Sequence, residues 1–157
     1  MNKIYLLTVL LIQSIVISYG YENSDIMEIK STKRSIYRDS RIFHNGIKDG
    51  DSILKSLRHS GKKIESYERI VFDFAKDNVP QIYAHINQED NKLQIDFLRT
   101  TLDKSLKPAF KSHRVKEINF FPLADNILST EMILKKNTYV EIFTLSKPAR
   151  LVVDFKN

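Results

Sequence analysis

Apolar and polar residues alternate along three short stretches of this chain, and all three end on the same punctuation. Arg69-Ile70-Val71-Phe72-Asp73-Phe74, Lys92-Leu93-Gln94-Ile95-Asp96-Phe97 and Arg150-Leu151-Val152-Val153-Asp154-Phe155 each run from a basic residue through an alternating segment to Asp-Phe. A period of two marks a half-buried strand, because successive side chains of an extended chain point to opposite faces. Ile70, Phe72 and Phe74 therefore share an inward face, as do Leu93, Ile95 and Phe97, and again Leu151, Val153 and Phe155. Arg69, Asp73, Asp96, Arg150 and Asp154 are left pointing outward.

The same reading predicts strands over residues 67–74, 81–86, 92–98, 115–121, 128–134, 138–145 and 150–155, with polar stretches 76–80 and 87–91 as connections of hairpin length. Residues 100–112 break the alternation. Leu102, Leu106 and Phe110 recur every four positions there, which predicts a short helical crossover disturbed by Pro108. The second half rhymes with the first: a strand, a tyrosine-bearing strand (Tyr83-Ala84-His85-Ile86 against Tyr139-Val140-Glu141-Ile142), then the strand ending in Asp-Phe. The expected fold is all-β, a small β-sandwich over residues 63–157, made of two similar three- to four-stranded sheets with internal pseudo-symmetry.

The chain before residue 63 is patterned differently. Lys3 precedes a run over residues 4–16 that is nearly all Leu, Ile and Val, and Ser18 and Gly20 supply the small residues of a cleavage site. Residues 1–20 are therefore expected to be a signal peptide cut after Gly20. A retained membrane anchor is the competing reading, against which Gln13, Ser14 and the small residues weigh. Residues 21–62 read as a polar, mobile leader. Within it residues 51–61 predict a short amphipathic helix, with Asp51 as N-cap, Ile53, Leu54 and Leu57 on one side and Gly61 closing the end.

Composition narrows the function. The formal charge of +6 falls to about +5 when Lys3 leaves with the signal, which favours anionic partners. Export would put a wall polymer or an acidic membrane surface ahead of nucleic acid. No second apolar stretch reaches spanning length, so no transmembrane segment is expected in the mature chain. With no cysteine there is no disulfide framework, and an exported domain must be held by core burial alone. His44, His59, His85 and His113 stand in no zinc-ligand spacing, and no serine elbow or Gly-rich phosphate loop is present. The expectation is a protein that is not an enzyme and takes no metal or cofactor. Asp73, Asp96 and Asp154 could pair as acid and base on a glycan, but a flat outward face is the wrong shape for that work.

The closing Pro148-Ala149-Arg150-Leu151-Val152-Val153-Asp154-Phe155 resembles the terminal Pro-x-Arg-Leu-Val-Val-Asp-apolar signature of the AMIN domain of bacterial cell envelopes. Arg69-Ile70-Val71-Phe72-Asp73 resembles that family's opening strand, and Tyr83 with the strand from Lys92 to Phe97 sits where its next elements lie. The resemblance implies two symmetrical β-sheets, periplasmic residence, and attachment to peptidoglycan or envelope machinery. In the family the module precedes amidase domains or pilus and secretion secretins. Nothing follows Asn157 here, so a stand-alone module is expected. Ser129-Thr130-Glu131 departs from the pattern, since a basic residue is expected before that apolar run. The function expected is a non-catalytic module binding peptidoglycan or another anionic wall polymer through Arg69, Asp73, Asp96, Arg150, Asp154, Tyr83 and Tyr139. The alternative is a protein-interaction subunit that docks in trans onto a secretin, an amidase or another envelope complex by strand addition.

Overall fold

The computed structural model of the protein describes residues 26–29, 35–37, 41–45, 50–61, 67–107, 111–136 and 138–156; the expected signal peptide lies outside them. These residues form twelve strands: β1 (Ile26–Glu28), β2 (Ser35–Tyr37), β3 (Arg41–His44), β4 (Ser52–Ser60), β5 (Tyr67–Phe74), β6 (Ile82–Asn87), β7 (Lys92–Phe97), β8 (Thr100–Leu102), β9 (Val115–Leu123), β10 (Ile127–Leu134), β11 (Tyr139–Leu145) and β12 (Arg150–Lys156). They make two six-stranded sheets, sheet I in the order β1-β3-β6-β7-β10-β9 and sheet II in the order β2-β11-β12-β5-β4-β8. The fold is all-β and sandwich-like.

The core lies between the sheets, and the alternation places it. All nine inward residues of the three hexads are buried: Ile70, Phe72, Phe74, Leu93, Ile95, Phe97, Leu151, Val153 and Phe155. Phe97 of sheet I meets both Phe72 and Phe74 of sheet II, with ring centroids 5.3 Å apart in each case, so three aromatic rings tie the layers together. Asn45 stitches an edge of this core: its Nδ2 donates to the Pro80 carbonyl (2.6 Å) and its Oδ1 accepts from the Ile82 N–H (3.0 Å).

The internal repeat is present, and its halves are interlaced. The run β4-β5-β6-β7 corresponds to β9-β10-β11-β12. In each, a hairpin in one sheet (β4-β5, β9-β10) is followed by a hairpin in the other (β6-β7, β11-β12). The halves then exchange partners, β5 pairing with β12 in sheet II and β10 with β7 in sheet I, both antiparallel. Each sheet is consequently built from both halves.

Several expectations are corrected. The connection over residues 76–80 is a crossing from sheet II to sheet I rather than a hairpin, because β5 finds its partner in β12. The expected leader helix over 51–61 is instead the nine-residue strand β4. A bulge between Leu54 and Ser56 shifts its alternation by one, so Leu54 and Leu57 both face inward at a spacing of three, which imitates helical spacing. The leader also supplies β1, β2 and β3, which pair with sheet neighbours, so each sheet exceeds the three to four strands expected. In place of a helical crossover, β8 runs parallel to β4, and Asp103 closes a turn by accepting from the Ser105 N–H (2.8 Å) and hydroxyl (2.6 Å). Pro108 and Phe110 lie outside the described residues.

Candidate functional site

The partner exchange makes positions on the two outer faces directly comparable. In sheet II, Asp154 stands between Arg69 on β5 and Glu141 on β11. In sheet I, the equivalent Asp96 stands between Ser129 on β10 and Tyr83 on β6. Register thus matches Tyr83 with Glu141, two positions from the Tyr83–Tyr139 match that the sequence rhyme implies. Tyr139 lies opposite Lys156 on the same outer face as Glu141.

The sheet II face is closed around its charges. Arg69 makes a two-pronged bond to Asp154, Nε to Oδ1 at 2.6 Å and Nη2 to Oδ2 at 2.7 Å, and the Asp154 side chain is only 1% exposed. The Arg69 guanidinium lies between the rings of Tyr67 and Phe143, 5.2 and 5.5 Å from their centroids. Glu141 is buried beside Asp154, with Lys156 Nζ 2.9 Å from its Oε2. Two buried acids in cross-strand register are thereby each held by a cation of their own. Asp154 points to the outer face as expected but is covered, and Arg69 spends both prongs on it; this pair is not an open ligand site.

Farther along the same face, Asp73 is bound by Arg58 through two bonds of 2.6 Å and by the Ser56 hydroxyl at 2.7 Å, while Arg150 faces it across the strand pair. Burial pushes the Asp73 carboxyl up, but the Arg58 fork, Ser56 and nearby Arg150 outweigh that and hold it below the usual carboxylate range. Arg58 escaped the sequence reading because the bulge in β4 disguised its strand. Glu68 escaped too, although its signal was legible: it is an acid at an inward position, two residues before Ile70. It is buried at one end of the sandwich, where it bonds His59 and accepts from the N–H groups of Arg114 (2.8 Å) and His113 (3.0 Å). Burial raises the Glu68 carboxyl, yet the bonds from His59, Ser112 and the two backbone amides prevail and lower it.

The sheet I face is open. One row crosses it in direct register: His44, Tyr83, Asp96, Ser129, Phe121. The next row is Ile42, His85, Gln94, Glu131, Asn119. Tyr83 is 44% and Phe121 45% exposed, and the Tyr83 ring sits 6.4 Å from that of His44. At ~4.8 Å per strand, Tyr83 and Phe121 stand about 14 Å apart. Between them Ser129 Oγ donates to Asp96 Oδ1 (2.6 Å), and Gln94 Nε2 lies 3.3 Å from the same oxygen. Asp96 Oδ2 has no partner among the described residues. A hollow of about 160 Å³, lined by Ile42, Tyr83, Ala84, His85, Gln94 and Asp96, opens beside Tyr83.

Of the seven residues singled out from the sequence, Tyr83 and Asp96 come together on the open face, and Arg69 and Asp154 pair inside the closed one. Asp73 and Arg150 adjoin at its end, and Tyr139 lies opposite Lys156 in the row next to Asp154. Among the described residues no three His, Asp or Glu side chains converge to hold a metal ion. No helix among them is long and apolar enough to cross a membrane. Comparison of the chain with protein-family models, curated proteins and solved structures gives no match.

Proposed function

We propose that the protein is a non-catalytic glycan-binding module of the periplasm that attaches to peptidoglycan through the outer face of sheet I. The observation that carries this is the row in which two exposed rings, Tyr83 and Phe121, flank the half-buried Asp96 and the buried Ser129 that orients it. A sugar ring presents apolar C–H faces and an edge of hydroxyl groups. Two exposed aromatic rings with a carboxylate, an amide and a hydroxyl between them supply the matching stacking surfaces and hydrogen-bonding groups. The shallow relief suits holding a chain rather than cleaving it. Likeness of the last strand to AMIN domains supports the choice of peptidoglycan, and the net positive charge supports an anionic wall.

The sheet edges lend less support to docking by strand addition. Of the outermost strands, β1, β2 and β8 have three residues each, and the longer β9 carries Pro122, which lacks an N–H to donate.

Co-sedimentation with purified sacculi tests the reading. The wild type is expected in the pellet, and Tyr83→Ala with Asp96→Ala should weaken binding about tenfold, the scale of removing one aromatic stacking surface. A wild type left in the supernatant at low salt overturns it, as does an unaffected double variant.

A further inference from the structure

A second recessed surface lies at the end of the sandwich where β9 begins. It is an open groove of about 740 Å³, and Lys111, His113, Lys116 and Lys135 line it together with Val115 and Ile118. Glu117 is its single acid, and that carboxylate accepts from Asn119 Nδ2 (2.9 Å). Five cations elsewhere in the fold are matched to acids: Arg58 to Asp73, Arg69 to Asp154, Lys92 to Glu131, Arg99 to Asp51 and Lys156 to Glu141. Lys111, Lys116 and Lys135 form no such pair among the described residues. Three lysines and one carboxylate thus line one trough, which leaves it with an excess of positive charge.

The backbone that carries them is fixed from beneath. The buried Glu68 takes the N–H groups of His113 and Arg114, and Ser112 Oγ takes that of Val115 (2.7 Å). The Lys135 N–H donates to the Arg114 carbonyl (2.8 Å), joining the groove's two walls. These bonds also occupy the local backbone donors, which leaves recognition to side-chain charge. Lysines act as point charges rather than planar forks, so spaced lysines along an open trough suit a linear chain of anions better than one enclosed oxyanion.

We infer that this groove binds a linear phosphate polymer, with Lys111, Lys116 and Lys135 as its contacts. Nucleic acid is the poorer fit, because no Phe or Tyr lines the groove for a base to stack on. The site is separate from the sheet I face and stands or falls independently of it.

The test is fluorescence anisotropy of the full chain with labelled poly(glycerol phosphate) and with single-stranded DNA of equal charge, at several salt concentrations. The phosphate polymer is expected to bind, with affinity falling steeply as salt rises. Replacing Lys111, Lys116 and Lys135 with alanine should weaken it at least about tenfold and flatten the log–log salt dependence by about 2, roughly 0.7 for each lysine charge removed as for a single-stranded polyanion. A Lys55, Lys104, Lys107 triple alanine variant removes the same charge elsewhere on the exposed surface and should bind within about twofold of wild type. Tyr83→Ala should also leave this binding intact, which separates it from sacculus attachment. Equal losses in the two triple variants, no binding at low salt, or tighter binding of DNA each overturns the inference. An unchanged urea midpoint in the groove variant excludes unfolding as the cause of its weaker binding.

Discussion

The two outer faces occupy equivalent places in an interlaced repeat, yet one is shut and the other open. The difference traces to one strand. Where β5 sets Arg69 against Asp154, β10 sets Ser129 against Asp96. The Arg69 guanidinium bonds both carboxylate oxygens and has the Tyr67 and Phe143 rings within 5.5 Å, so the acid beneath it is covered. The Ser129 hydroxyl reaches only one oxygen of the half-buried Asp96. The departure from the repeat at Ser129 therefore removes the guanidinium that covers the sheet II aspartate, and the proposed function makes this uncovered copy the one that meets the ligand.

The hardest test of this symmetry is the shared interior. Phe97→Ala and Phe155→Ala remove corresponding rings from the two halves and should each cost about 3–5 kcal/mol in urea unfolding. Losses below about 1 kcal/mol would mean that the two faces had been assigned in reverse.

The closed and open faces should then separate on their polar pairs. Arg69→Ala strands a buried carboxylate beside Glu141 and should cost about 2–4 kcal/mol, somewhat under the figure for a fully buried pair because the Arg69 side chain keeps 25% exposure. Ser129→Ala removes one neutral hydroxyl's hydrogen bond to the half-buried Asp96 and should cost about 0.5–1.5 kcal/mol. Equal costs would erase the distinction between the faces.

Acid should find sheet II first. Glu68 and Asp73, both on β5, have carboxyls lowered by their partners. A carboxyl lowered in the folded state adds stability that is complete above its unfolded value, roughly pH 4.3, and is lost as pH falls through the folded value. Urea midpoints should drop between about pH 5 and pH 3, and Glu68→Gln should flatten that drop while costing about 1–3 kcal/mol at pH 7. A variant that retained the full acid sensitivity would show that protonation of Glu68 is not its source. The smallest effect belongs to the open face: Tyr83→Ala should change stability by less than about 0.5 kcal/mol, so that any drop in sacculus binding reports the surface rather than unfolding.

What could be read from the sequence was whatever depends on neighbours along the chain. The period of two fixed all nine core positions in the hexads, since pleating is a local property, and it foresaw the tyrosine and aspartate that share the open face. Pairing between distant strands was not legible. Nothing in residues 67–74 says that their partner is β12 rather than β6, and only that pairing brings Arg69 over Asp154. The bulge after Leu54 hid β4 for a related reason: it adjusts the strand to its neighbour, and in isolation it reads as helical spacing. Closure of the sheet II face is likewise a product of packing, which no single strand records.

The exchange of strands between halves also governs how the molecule must assemble. Arg69 and Asp154 are 85 residues apart, and β5 lies at the centre of sheet II only once β12 has arrived beside it. Ordering so long an intervening segment carries its entropic cost before the pairing returns anything, which places folding in the slow, milliseconds-to-seconds class of non-local β topologies. Neither half could be excised as a self-sufficient unit, because each would leave with two strands whose mates had stayed behind.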